Sequence, residues 1–225
     1  MDPAEKLAEK IRNGRQYRSM TLEVRKADDG EGEGSHMIVE GYASTFNEPY
    51  TLYETDGFRY QEQVDSRAFD KTDMSDVIVQ YDHQGRVYAR SSNGTLAVKP
   101  DAHGLWVRME LSGTEEGRKL YEEIKGGYTT KMSFGFTVRG DSETSEKLED
   151  GTRLVTRTIT DVGKLYDVSA VSLPANDGTE ISARSLAEGA LARLEAERLK
   201  AEAEKQNDIE ERNRRARFAF YAQNK

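Results

Sequence analysis

The sequence predicts an α+β fold: a compact, mainly antiparallel, β-barrel-like core with a few helices, followed by a helical C-terminal tail. Three observations predict it. From Met20 to about Arg184, short β-rich runs recur between glycine, asparagine and proline turn signals. One stretch with helical spacing interrupts those runs. From Ser185 the strand-like text gives way to Ala, Glu, Lys and Arg with a narrow apolar stripe. The expected organisation is an N-terminal arm over 1–19, one domain over 20–184 and a helical, basic tail over 185–225.

The elements follow in order. Residues 4–12 have weak helical character. "TLEVR" (21–25) alternates as a strand does, and "MIVEGYAST" (37–45) reads as a strand containing a glycine. "VIVQYD" (77–82) and "VYARS" (87–91) flank a turn expected at Gly85. "GTLAV" (94–98) and "GLWVRMEL" (104–111) form a hairpin pattern around "KPDAH". Ser112 and Glu115 have capping-box spacing before Leu120, Tyr121 and Ile124, and Gly126-Gly127 end that helix. "YTTKMSFGFTV" (128–138) is a strand, "GDSETSEKLEDG" (140–151) a charged loop, and "TRLVTRTITDV" and "LYDVSAVSLPA" two more strands, the last ended by Pro174. Ser185 and Glu188 repeat the capping-box spacing and open the tail helix, whose polarity predicts that it hangs off the core. The tail closes on Arg212, Arg214, Arg215, Arg217, Phe218, Phe220 and Tyr221, a composition suited to docking on a protein partner.

Composition narrows the chemistry. The chain of 225 residues is 33 % charged and carries a net charge of −8, which argues against a general nucleic-acid binder. It has no cysteine, so disulfides, thiolate nucleophiles and zinc–cysteine sites are excluded. No run of 18 apolar residues and no secretory leader is evident, so a soluble intracellular protein without a membrane role is expected. One credible histidine and no HExxH pattern make a metal hydrolase a poor reading, and no cofactor is expected.

The chain has three histidines. His36 sits in "GSHM", which matches a tag-cleavage scar. His103 lies in a turn pattern. His83 stands at the end of a strand beside Gly85, as an ordinary strand-end residue or as part of a site. In "KMSFGF", Ser133 lies between Met132 and Phe134, so alternation points its hydroxyl away from theirs. Gly135 permits close backbone approach of a substrate. A serine attacks an amide only if a base takes its proton, and an imidazole steadied by a carboxylate is the usual base.

The succession "EGYASTFNEPY", "DVIVQYDHQGRVYAR", "NGTLAV", "GLWVRMEL", "IKGGYTTKMSFGF" and "LYDVSAVSLPAN" resembles the tailed-phage prohead (procapsid) maturation proteases, over roughly 20–180. Those serine peptidases are similar in fold and reaction to herpesvirus assemblin. The resemblance implies an assemblin-like fold, with His83 as general base and Ser133 as nucleophile. In assemblin the third member is a second histidine; here Asp167 occupies the corresponding strand, and Asp161 in "TITDVG" is the alternative. The assemblin arginine pair is not evident, since Pro174-Ala175-Asn176 follows the strand. The implied substrates are the major capsid protein with its scaffolding segment or a separate scaffold, and the protease itself. Self-association is compatible with that role, and the place of action would be the procapsid in the host bacterial cytoplasm. The alternative function is a non-catalytic assembly or scaffolding factor that co-assembles with capsid protein.

Overall fold

The computed structural model describes residues 3–21, 26–29, 37–171 and 177–223. Its elements are α1 (Pro3–Asn13), β1 (Arg15–Thr21), β2 (Lys26–Asp29), β3 (Met37–Thr45), β4 (Tyr50–Thr55), β5 (Phe58–Val64), β6 (Ile78–Tyr81), β7 (Gln84–Arg90), β8 (Leu96–Pro100), β9 (Gly104–Glu110), α2 (Glu115–Lys125), β10 (Lys131–Lys147), β11 (Arg153–Val171) and α3 (Asp177–Gln223). The fold is α+β, mostly strand. The barrel-like core does not appear as a closed barrel: the described strands form two open sheets. One runs β1-β10-β11-β5-β4, with β6 also on β11 and β7 on β6; the other runs β2-β3-β9-β8. Pairing is antiparallel except along β11, which carries β5 beside its first half and β6 beside its second, both parallel.

Alternation explains how these strands build a core. Met132, Phe134 and Phe136 of β10 are buried with Val168 and Ala170 of β11, opposite Val39, Leu105, Val107 and Met109 of the second sheet. Phe134 and Phe136 stack with centroids 4.6 Å apart. Each such ring contributes roughly 1.5–3 kcal/mol by burial. Leu120, Tyr121 and Ile124 of α2 join the same core. Their 3–4 spacing is the stripe expected from sequence.

Several boundaries differ from expectation. The cap of α2 is Thr114, not Ser112; its side chain accepts from the Gly117 amide. The turn after β6 falls at Asp82-His83, not Gly85, because Tyr81 pairs with Gln84. Residues 140–147 are not a loop: they continue β10, leaving a short turn before Arg153. Their charges have partners distant in sequence, since Glu143 meets Arg12, Arg193 and Tyr60, and Asp141 meets Arg157. The two strands expected over 152–175 are one element, β11, within the described residues. Residues 22–25 of the expected strand, His36 and Pro174 lie outside the described residues.

Continuous elements cross both expected domain boundaries, β1 at 19/20 and α3 at 184/185. Ser185 does not cap a helix; it is buried inside α3. Leu186, Ala187 and Ala190 do not hang free but pack with Ala8 of α1, Phe58 and Tyr60 of β5 and Val155 of β11. A three-residue apolar stripe is enough here because α1 and the sheet surface cover it. Beyond it, residues 195–215 are exposed. Arg212 and Arg215 pair along the helix with Asp208 and Glu211. The side chains of 216–225, including Arg217, Phe218, Phe220 and Tyr221, lie outside the described set.

Strands β1, β5 and β11 of the first sheet carry a buried charge network that has no local signal in the sequence. Glu62 accepts from Arg18, Arg157 and Tyr50. Arg157 is fully buried. Burial alone would push the Glu62 carboxyl up, but the two guanidinium groups and Tyr50 outweigh it and hold it at about 2.

Candidate active site

Three neighbouring strands position the site. β11 lies between β10 and β6, with Gly135 opposite Asp167 and Ser133 opposite Ser169, and with Asp167 beside Ile78 of β6. Alternation therefore sets Ser133, Gly135, Asp167 and Ser169 on one face, away from the core. At the end of β6 the chain reverses through Asp82 and His83, whose φ values are +47° and +58°. Two central residues at positive φ are what a type I′ hairpin requires. Asp and His tolerate this region better than most residues, at a cost of roughly 1–2 kcal/mol each. Such local strain recurs where geometry serves a site.

The turn throws the His83 ring across β11. Its Nε2 lies 2.7 Å from Ser133 Oγ and its Nδ1 lies 2.5 Å from Asp167 Oδ2. Ser169 Oγ donates to the same carboxylate oxygen at 2.6 Å, and Arg15 donates to Oδ1. Asp167 is fully buried. Burial would raise its carboxyl pKa, but hydrogen bonds from His83 and Ser169, together with the charges of His83 and Arg15, leave it below the ordinary value. Asp167 thus remains an acceptor at neutral pH. Gly135 is required by the same approach: a Cβ there would overlap Asp167 Oδ1 and lie 2.9 Å from Arg15 Nη2.

The structure brings together His83, Ser133 and Asp167, and it leaves the other candidates elsewhere. Asp161 makes a two-pronged pair with Arg139 on the surface, which holds its carboxyl below the usual range. His103 stacks edge-on against Tyr42 in the β8–β9 turn. Sequence reasoning missed Ser169, Arg15 and Tyr17, whose ring centroid lies 4.3 Å from that of His83. Ser169 had a signal, since it follows Asp167 by two positions on one strand face. Arg15 and Tyr17 had none, because only strand pairing brings them to the site.

A hydroxyl, an imidazole and a carboxylate in one hydrogen-bonded line is the arrangement of serine hydrolases. Residues 20–191 match the family model described as Caudovirus prohead serine protease. The chain belongs to that family. Among solved structures, the bacteriophage T4 capsid assembly protease, gp21, is similar over 72 % of this chain and 100 % of its own, at 12 % identity and a TM-score of 0.40. No curated protein matches the chain.

Proposed function

We propose that this protein is a serine endopeptidase that cleaves capsid and scaffold proteins, and itself, during procapsid maturation. The observation that carries the reading is His83 bridging Ser133 and Asp167 through its two nitrogens. In the reaction, Ser133 Oγ attacks the scissile carbonyl while His83 Nε2 takes its proton. The C–N bond then breaks, the leaving amine receives that proton, and an acyl-Ser133 ester remains. Water, deprotonated by His83, hydrolyses the ester and restores the serine. Asp167 keeps the Nδ1 proton in place, so that Nε2 is the basic nitrogen, and stabilises the imidazolium.

The capsid protein, its scaffolding segment and the protease itself are the substrates we infer from family membership, with the procapsid interior as the place of action. The exposed end of α3 is the segment we propose for docking on procapsid protein. Co-expression of the full-length chain with its phage's capsid and scaffold proteins, followed by mass spectrometry, tests the function. The expected result is new termini on the capsid or scaffold protein and on the protease, all absent with Ser133→Ala. Assembly that proceeds alike in both, with no new termini, would favour the non-catalytic reading.

A further inference from the structure

We infer that Arg15 and Tyr17, carried on the N-terminal strand, are positioning residues of this site. Arg15 fixes the Asp167 carboxylate and Tyr17 fixes the His83 ring. The inference rests on the nucleophile–base–acid reading above and extends it to residues that precede the segment matched by the family model.

The strand register supplies the first argument. β1 runs antiparallel to β10, with Tyr17 opposite Gly135 and Arg15 opposite Thr137. Alternation puts both side chains on the face that carries Ser133 and Asp167. Arg15 Nη2 donates to Asp167 Oδ1, the oxygen that His83 leaves free. With Oδ1 held, rotation of the carboxylate is blocked and Oδ2 stays on Nδ1. The Arg15 guanidinium is itself held by two rings, 4.5 Å from the Tyr166 centroid and 5.2 Å from that of Tyr17. Its side chain is 36 % exposed, so it is not a buried cation in need of any counter-ion. Tyr17 in turn lies against His83, with centroids 4.3 Å apart and planes tilted by 57°. Gly135 supplies the second argument, because any side chain there would push apart the Arg15–Asp167 pair.

A positioning role has an electrostatic signature. The groups around the Asp167–His83 pair are Arg15 and Tyr17 from β1, Ser133 from β10, Tyr166 and Ser169 from β11, and Asp82 beside His83 in the hairpin. Of these, Arg15 carries the positive charge. Its guanidinium offsets part of the carboxylate's field at the imidazole. Without it the imidazolium is favoured, and the acid limb of the rate profile moves to higher pH.

The test uses the full-length chain and a fluorophosphonate probe, which acylates an activated serine without needing a known peptide. The limiting acylation rate, the half-saturating probe concentration and the pH profile are measured for wild type, Arg15→Met, Arg15→Lys, Tyr17→Leu and Arg12→Gln. Arg12 anchors α1 to Asp141 and Glu143 without touching the site. Arg15→Met is expected to lower the limiting rate about 10- to 100-fold, with half-saturation unchanged. It should also move the acid limb to higher pH. Arg15→Lys should return the acid limb toward wild type, and it carries the test if the methionine variant does not fold. Tyr17→Leu should lower the rate without moving the limb. Arg12→Gln should lower thermal stability and change neither rate nor limb. Arg15 variants with wild-type rate and limb would overturn the inference, as would an Arg12→Gln profile that matches theirs. Both outcomes leave the nucleophile reading standing. That reading fails separately if wild-type Ser133 takes no probe, and the inference falls with it.

Discussion

Replacing Asp167 by asparagine changes one atom and removes one charge at the centre of the site. The carboxylate accepts three side-chain bonds, from His83 Nδ1 and Ser169 on Oδ2 and from Arg15 on Oδ1. An asparagine offers one oxygen and one NH2 group in their place. If the NH2 faces His83, Nδ1 must become the acceptor, the proton moves to Nε2, and the base can no longer take the Ser133 proton. If the oxygen faces His83, the NH2 confronts the Arg15 guanidinium and the developing imidazolium has no counter-charge. A unit pair about 4 Å apart at an effective dielectric of about 20 is worth roughly 4 kcal/mol. Lost at the transition state, that is about a thousandfold in rate. The expected result is a fluorophosphonate acylation rate reduced about 10³- to 10⁴-fold in Asp167→Asn, with the fold intact by circular dichroism. Asp161→Asn, which alters only a surface pair with Arg139, should stay within about twofold of wild type. A rate within about tenfold of wild type in Asp167→Asn, or a larger loss in Asp161→Asn, would refute the assignment.

The buried network and the tail helix make further predictions. Glu62→Gln leaves Arg18 and Arg157 buried without their shared counter-ion, so urea unfolding should show a loss of about 3–5 kcal/mol; a loss below about 1 kcal/mol would contradict the network's structural weight. Because the Glu62 carboxyl is depressed to about 2 in the folded protein, its contribution is complete above its unfolded value near 4.5. That contribution is lost as pH falls from there toward 2, so wild-type stability should drop across this window and Glu62→Gln should drop less. Truncation after Arg184 removes the cover of Phe58, Tyr60 and Val155 and should lower the thermal midpoint sharply. Truncation after Arg198 should keep fold and acylation but reduce packaging into procapsids; a 1–184 chain as stable as wild type would contradict the packing of α3.

The parts legible in the sequence were those set by local rules. β3, β9 and the start of β10 have apolar alternation, and α2 has a clear stripe with glycines at its end. His83 and Ser133 stood out as a titratable ring at a strand end and a hydroxyl within an apolar strand, whereas Asp167 was marked only by the resemblance to the assemblin strand, with Asp161 as the alternative. Other features depend on contacts made far along the chain. The polar half of β10 looks like a loop until Arg12, Arg157 and Arg193 meet its acids. The start of α3 looks detached because its apolar stripe is short, and only the fold supplies α1 and β5 beneath it. Arg15 lies 152 positions from Asp167, and nothing in "NGRQYRS" marks it as a partner. The turn at Asp82-His83 was misplaced because Gly85 is the stronger local turn signal, while cross-strand pairing of Tyr81 with Gln84 decided the reversal.

The central claim is that Ser133 is a nucleophile activated by His83. The most direct test is to treat the full-length protein with a fluorophosphonate at neutral pH and locate the adduct by peptide mass spectrometry. The account predicts one adduct, on the peptide containing Ser133, absent in Ser133→Ala and reduced by orders of magnitude in His83→Ala. No adduct at Ser133, or an equal yield with and without His83, would contradict it.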